Sequence, residues 1–237
     1  MLEERGLATT VIGLVRPHME ATLGPRGLFV PFPLGRPLGE PGDAGFQRRV
    51  LLQALRLLER EGGPVLLEDF AEDAPSQNDR IGWAAPFALP AVAMPADGAG
   101  WAAALTAEMA LVLPWWERAK SRFGRSSVGV SFQAPAAWPG YASAFLAGER
   151  PAAPAGLPSP AVALRFLADD LKALYTEAVQ AVGETPSPDQ VNAWLFRDTV
   201  AGRLLRALRS AALESDDNGF KTAGGRFLVP VPWLPPG

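Results

Sequence analysis

The sequence predicts an α/β fold, a parallel sheet of about four strands flanked by helices in a Rossmann-like arrangement, with a helix-rich C-terminal half. Two observations point there. In the first third of the chain, short runs that are apolar throughout alternate with helical stretches, the pattern of strands buried on both faces of a parallel sheet. Beyond residue 100 the composition is mostly helical, with one further strand candidate. The expectation is a single domain over residues 1–237, its sheet-forming part spanning 1–134 and its helical part, with a proline-rich tail, spanning 135–237.

Each element has its own local warrant. Thr9 to Val15 is a short β-branched run ended by Arg16-Pro17, where proline removes a ladder donor. His18 to Leu23 reads as a short helix. Gly27 to Pro31 is a second apolar run, too short for a helix and bounded by prolines. Asp43 can cap a helix running to Glu61, because Phe46, Val50, Leu51, Ala54, Leu57 and Leu58 recur at helical spacing and Gly62-Gly63 would stop it. Its opposite face carries Arg48, Arg49, Arg56 and Arg60. Pro64 to Phe70 is the third strand. Gly100 to Phe123 reads as a long helix that Pro114 kinks or splits. Ser126 to Phe132 is the fourth strand candidate. A proline-rich connector follows, with a short helix at Tyr141 to Leu146. Ser159-Pro160 and Ser187-Pro188 then place an N-cap serine before a first-turn proline, opening helices over Ala161 to Val182 and Asp189 to Leu213. Phe227 to Gly237 is too rich in proline for a central strand.

Composition excludes several functions. With 48% hydrophobic and 20% charged residues in 237, the chain can bury a full core, and a net charge of -3 provides no basic field for nucleic acid. No apolar run is long enough to span a bilayer, so no membrane partner and a cytoplasmic location are expected. Cysteine is absent, which removes disulfides, thiolate metal sites and a cysteine nucleophile, and His18 is the only histidine. A bound transition metal, flavin or nicotinamide is therefore not expected, and neither GxGxxG nor GxxxxGK[ST] follows a strand.

In a parallel sheet, ligands sit beyond the carboxyl ends of the strands, which gives the residues after each strand a geometric claim to function. The first strand delivers Arg16, His18 and Glu20, the second the loop from Phe32 to Gly42 with Arg36 and Glu40, and the third Glu68, Asp69, Glu72 and Asp73. The loop is the most unusual segment. Its prolines restrict the backbone while Gly35, Gly39 and Gly42 permit conformations a side chain would forbid; a rigid connector over a sheet edge is the alternative reading. His18 could move a proton, because an unperturbed imidazole in general changes charge near neutrality, although a lone histidine is also a common hydrogen-bonded structural residue. Asp169-Asp170 and Asp216-Asp217 read as surface charges. The tryptophans read as core and interface packing, and Trp115, Trp116, Trp194 and Phe196 are the candidates for apolar helix surface buried in a homodimer.

The segment LEERGLATTVIGLVRPHMEATLGPRGLFVPFPLGRPLGEPGDAGFQRRVLLQALRLLE resembles component B of the glycine, sarcosine, betaine and D-proline reductases. The likeness lies in the order of an LE-x-x-G opening, a strand, Pro25-Arg26, the loop PLGRPLGEPGD and the helix QRRVLLQAL, over residues 2 to about 60. In that family a selenocysteine or cysteine on the N-terminal side of this segment attacks a substrate carbon activated by a partner subunit's pyruvoyl group, giving reductive C–N cleavage. Without cysteine, no residue here takes over that step. The resemblance implies the fold and the pocket: a thiol-independent enzyme or enzyme component that binds a small amino-acid-like or amine substrate, with a possible partner subunit. On this reading Arg16 and Arg36 hold a carboxylate, with Glu20 and Asp69 beside them, while His18 transfers a proton and Glu40 or Glu68 orients it. The alternative is a non-catalytic binding or assembly subunit.

Overall fold

The computed structural model describes residues 2–60, 65–74, 82–183, 186–230 and 233. They divide into two compact units, Met1–Ile81 and Gly82–Gly237, each with its own core.

The N-terminal unit holds the sheet. β1 (Val11–Gly13), β2 (Arg26–Phe29) and β3 (Leu66–Asp69) are parallel, in the order β1-β2-β3. Val11, Gly27 and Leu67 share one register position and Ile12, Leu28 and Glu68 the next. α1 (Arg16–Thr22) connects β1 to β2 and closes at Leu23, whose φ of 50° is left-handed. α2 (Ala44–Arg56) starts at Asp43, which accepts the Phe46 N–H, and ends in a single 3-10 turn, Leu57–Glu59. The proposed stop at Gly62-Gly63 lies outside the described residues.

Alternation along the strands gives the two faces different work. Leu28 points into a core with Val30, Phe46, Val50, Leu57 and Phe70, so α2 covers that face. Burying each such side chain contributes roughly 1.5–3 kcal/mol. On the other face Gly13 and Gly27 leave room for Met19 of α1, whose side-chain atoms would lie 2.3 Å and 2.8 Å from a Cβ at those positions.

The C-terminal unit is helical. α3 (Gly98–Phe123) starts at Asp97, which accepts the Gly100 N–H, and runs without a break through Pro114. α4 (Trp138–Leu146), α5 (Pro160–Ala178), α6 (Pro188–Asp198), α7 (Val200–Glu214) and α8 (Asn218–Arg226) follow. Leu105, Leu167, Leu171, Tyr175, Leu195 and Leu204 are fully buried at its centre. Trp116 and Phe196 are buried in this core, and Trp115 and Trp194, partly exposed, pack against it.

Three sequence expectations are corrected here. Ser126 to Phe132 is a succession of turns, not a fourth strand, because its N–H groups bond to carboxylates instead of to a ladder. Asp170 is not a surface charge: it is fully buried and accepts the Gly129, Val130 and Ser131 N–H groups at 2.7, 3.0 and 2.9 Å, together with the Ser131 hydroxyl. Asp217 also has a structural task as the cap of α8. The helix expected over Asp189 to Leu213 breaks at Thr199, whose extended backbone and side chain cap α7 through the Gly202 N–H at 2.9 Å. Glu108 of α3 completes that cap by accepting the Val200 and Ala201 N–H groups at 2.7 and 3.0 Å, and it also accepts the Tyr175 hydroxyl at 2.7 Å. Burial pushes the Glu108 carboxyl above its usual range and the Tyr175 hydroxyl well above its own.

Candidate functional site

The chain leaves β2 through buried Val30 and Phe32 and enters the loop from Pro33 to Asp43. Successive turns shape the loop, with Arg36 N–H bonded to Pro33 O at 3.0 Å and Gly39 N–H to Arg36 O at 2.9 Å. Gly39 has a φ of 87°, and a Cβ there would lie 2.5 Å from the ring of Phe46. Only glycine meets both conditions. The close approach brings Glu40 to the first turn of α2, where Gln47 donates to its backbone oxygen at 3.0 Å and Arg36 pairs with its carboxylate at 2.6 Å.

The chain leaving β3 supplies the facing wall. Buried Phe70 meets Phe32 and Phe46 with ring centroids 5.7 Å apart in each case. Beyond it Glu72 takes a two-point bond from Arg49, Nε to Oε1 at 3.1 Å and Nη2 to Oε2 at 2.8 Å. That hydrogen bond holds the Glu72 carboxyl below its usual range and the Arg49 guanidinium above its own. Between the two walls lies an open cleft of about 240 Å³, lined by Glu40, Asp43, Phe46, Arg49, Glu72 and Asp73.

The carboxylates of this cleft differ in occupation. Glu40 is paired with Arg36, Glu72 with Arg49, and Asp43 is engaged at the helix cap. Asp73 has no hydrogen bond or ion pair among the described residues. The Arg49 guanidinium lies 5.1 Å from the centre of the Phe46 ring, so an aromatic face and a fork of N–H donors border the same space. A small molecule with a protonated amine would meet a free carboxylate at Asp73 and a ring at Phe46, and a carboxylate on it would compete with Glu72 for Arg49.

The residues singled out from sequence do not all meet in this cleft. Glu40 lines it and Arg36 stands behind Glu40. Arg16 instead bonds Asp69 from Nε at 2.8 and 3.1 Å and pairs with Glu20, which joins the carboxyl ends of β1 and β3 on the α1 face of the sheet. Glu68 pairs with Arg60 at 3.2 Å. His18 is exposed on α1, and its imidazole has no partner among the described residues. Alternation explains the division, since Glu68 and Asp69 are neighbours in β3 and face opposite sides.

Sequence reasoning missed Arg49 and Phe46 as site residues. Their signal was the spacing in α2: Asp43, Phe46 and Arg49 recur every three residues, which lines them along one side of the helix start. Among the described residues, no group of three or more His, Asp or Glu side chains could hold a metal ion. The helical unit has a larger open cleft, about 480 Å³, where Ser159, Asp217, Arg150 and Phe220 meet. There Ser159 and Asp217 serve as helix caps and Arg150 lies over the Phe220 ring at 4.8 Å, while Asp216 has no hydrogen bond or ion pair among the described residues. Comparison with protein-family models, curated proteins and solved structures found no match.

Proposed function

We propose that the N-terminal unit is the ligand-binding part of an enzyme or enzyme component, and that its cleft beyond β2 and β3 takes a small amine or amino-acid-like molecule. The observation that carries this reading is the pairing pattern of the cleft: among the described residues every charged side chain around it is engaged except Asp73, beside the ring of Phe46. Asp73 binds the ammonium group, Arg49 the carboxylate of an amino-acid-like ligand, and Arg36 positions Glu40 at the mouth. A proton taken from the bound amine would go to Asp73 or Glu40, since His18 stands elsewhere. The resemblance to reductase component B agrees with this reading, because residues 2 to about 60 include β1, β2, the loop and α2, and thus one wall of the cleft.

A second reading is an assembly subunit. It is favoured by Leu51, Leu52 and Leu55, which lie exposed on the outer side of α2. Titration calorimetry with glycine, betaine, D-proline and methylammonium separates the two. The first reading predicts binding that Asp73→Asn weakens about ten- to a hundredfold, the loss of one charge-assisted hydrogen bond. It also predicts that Arg49→Gln weakens the amino acids but not methylammonium. Absence of binding by all four, or indifference to Asp73→Asn, would leave the assembly reading.

A further inference from the structure

In the helical unit the turns from Ser126 to Phe132 lie against α5 and are held from beneath. Asp170 takes the N–H groups of residues 129–131, while Glu177 accepts the Ser126 hydroxyl and the Ser127 N–H, each at 2.6 Å, and the Trp116 indole N–H at 2.8 Å. All these donors point inward to α5. Two apolar side chains of the loop are left outside with Ser127, Val130 at 41% and Phe132 at 64% exposure, and Phe123 at the end of α3 is 46% exposed. Phe132 adopts a φ of 56°, a left-handed conformation that is uncommon for a bulky side chain and persists only where the surroundings impose it. The fold thus expends one buried carboxylate, Asp170, and one partly buried one, Glu177, on a loop that leaves a phenyl ring exposed.

The charge around this loop is equally one-sided. Arg118, Arg122 and Arg125 have no carboxylate partner among the described residues. Of the three carboxylates at the loop and the end of α3, Glu117 is paired with Lys120, and Asp170 and Glu177 are consumed by the loop. This end of the unit is positive although the chain carries a net charge of -3.

We propose that this loop and the last turns of α3 form a peripheral contact surface for an anionic lipid membrane. Val130 and Phe132 enter the interfacial layer, and Arg118 and Arg125 meet the headgroups, while Arg122, which donates to the Gln180 backbone oxygen at 2.9 Å, adds its charge from behind. The contact is peripheral because no helix among the described residues is long and apolar enough to cross a membrane. A single-stranded nucleic acid could stack on Phe132 but has no use for Val130, which favours lipid.

Co-sedimentation with phosphatidylcholine vesicles, with and without phosphatidylserine, tests the proposal. The full chain should pellet only with the anionic vesicles. Arg118→Gln and Arg125→Gln should each weaken partitioning about fivefold. The pair Val130→Ser and Phe132→Gly should abolish it while preserving the fold, since glycine accepts the left-handed φ at no cost and both side chains point outward. Failure to pellet with anionic vesicles, equal binding by the double variant, or retention on an oligonucleotide or an acidic peptide in place of the vesicles would overturn it.

Discussion

Asp170→Asn is a nearly isosteric change whose cost can be worked from its contacts. The native carboxylate is fully buried and accepts three backbone N–H groups and one hydroxyl. The amide keeps one acceptor oxygen, which can continue to serve Gly129 and Val130, and presents an NH₂ to Ser131. The Ser131 hydroxyl can rotate to accept from it, but the Ser131 N–H cannot. One buried donor is left unsatisfied, at about 1–3 kcal/mol, and two further bonds lose their charge assistance, at about 0.5–1 kcal/mol each. The expected destabilisation is about 2–5 kcal/mol, a large part of the 5–15 kcal/mol that typically separates folded from unfolded states. Urea titration followed by tryptophan fluorescence reads this unit selectively, because all seven tryptophans lie beyond residue 82. Amide exchange at residues 129–131 should accelerate by orders of magnitude. A shift of less than about 0.5 kcal/mol, the range of ordinary surface substitutions, with unchanged exchange at those amides would refute the reasoning.

Two further outcomes follow from the same unit. Glu108 has its carboxyl pushed up by burial, so between the usual value of 4.5 and its raised folded value the native state retains a proton that the unfolded state has lost. Its contribution to stability is therefore fully present below about 4.5 and declines as pH rises through the folded value, and Glu108→Gln should flatten that part of the stability profile measured by urea titration at a series of pH values. At Gly202 a Cβ would stand 2.0 Å from the Leu195 carbonyl oxygen and 2.8 Å from the Phe196 Cα, both backbone atoms, so Gly202→Ala should cost more than about 3 kcal/mol. A well-folded variant with wild-type urea midpoint would contradict the close approach of α6 and α7.

The parts of the fold that follow local rules were legible in the sequence. Apolar runs between prolines and glycines became β1, β2 and β3, and Asp43, Ser159 and Ser187 cap helices as their positions suggested. What escaped was decided by contacts far apart in sequence. Ser126 to Phe132 has the composition of a strand, but Asp170 and Glu177, some 40 to 50 residues later, supply acceptors that a ladder would otherwise provide. Thr199 was hidden inside a long apolar pattern because the Glu108 carboxylate that completes its cap sits in α3. The site was half legible. Glu40 was marked by the loop it belongs to, whereas which charges of the strand ends share a face depends on register, and a shift of one residue separates Glu68 from Asp69.

The central claim, that the cleft beyond β2 and β3 is the ligand site, is tested most directly by mapping amide chemical shifts while glycine or methylammonium is titrated into the labelled protein. The account predicts saturable shifts at Glu40, Phe46, Arg49 and residues 72–74, with little change at Arg16, His18 and Asp69. Shifts concentrated at Arg16, His18 and Asp69, or no saturable shift anywhere in residues 1–81, would contradict it.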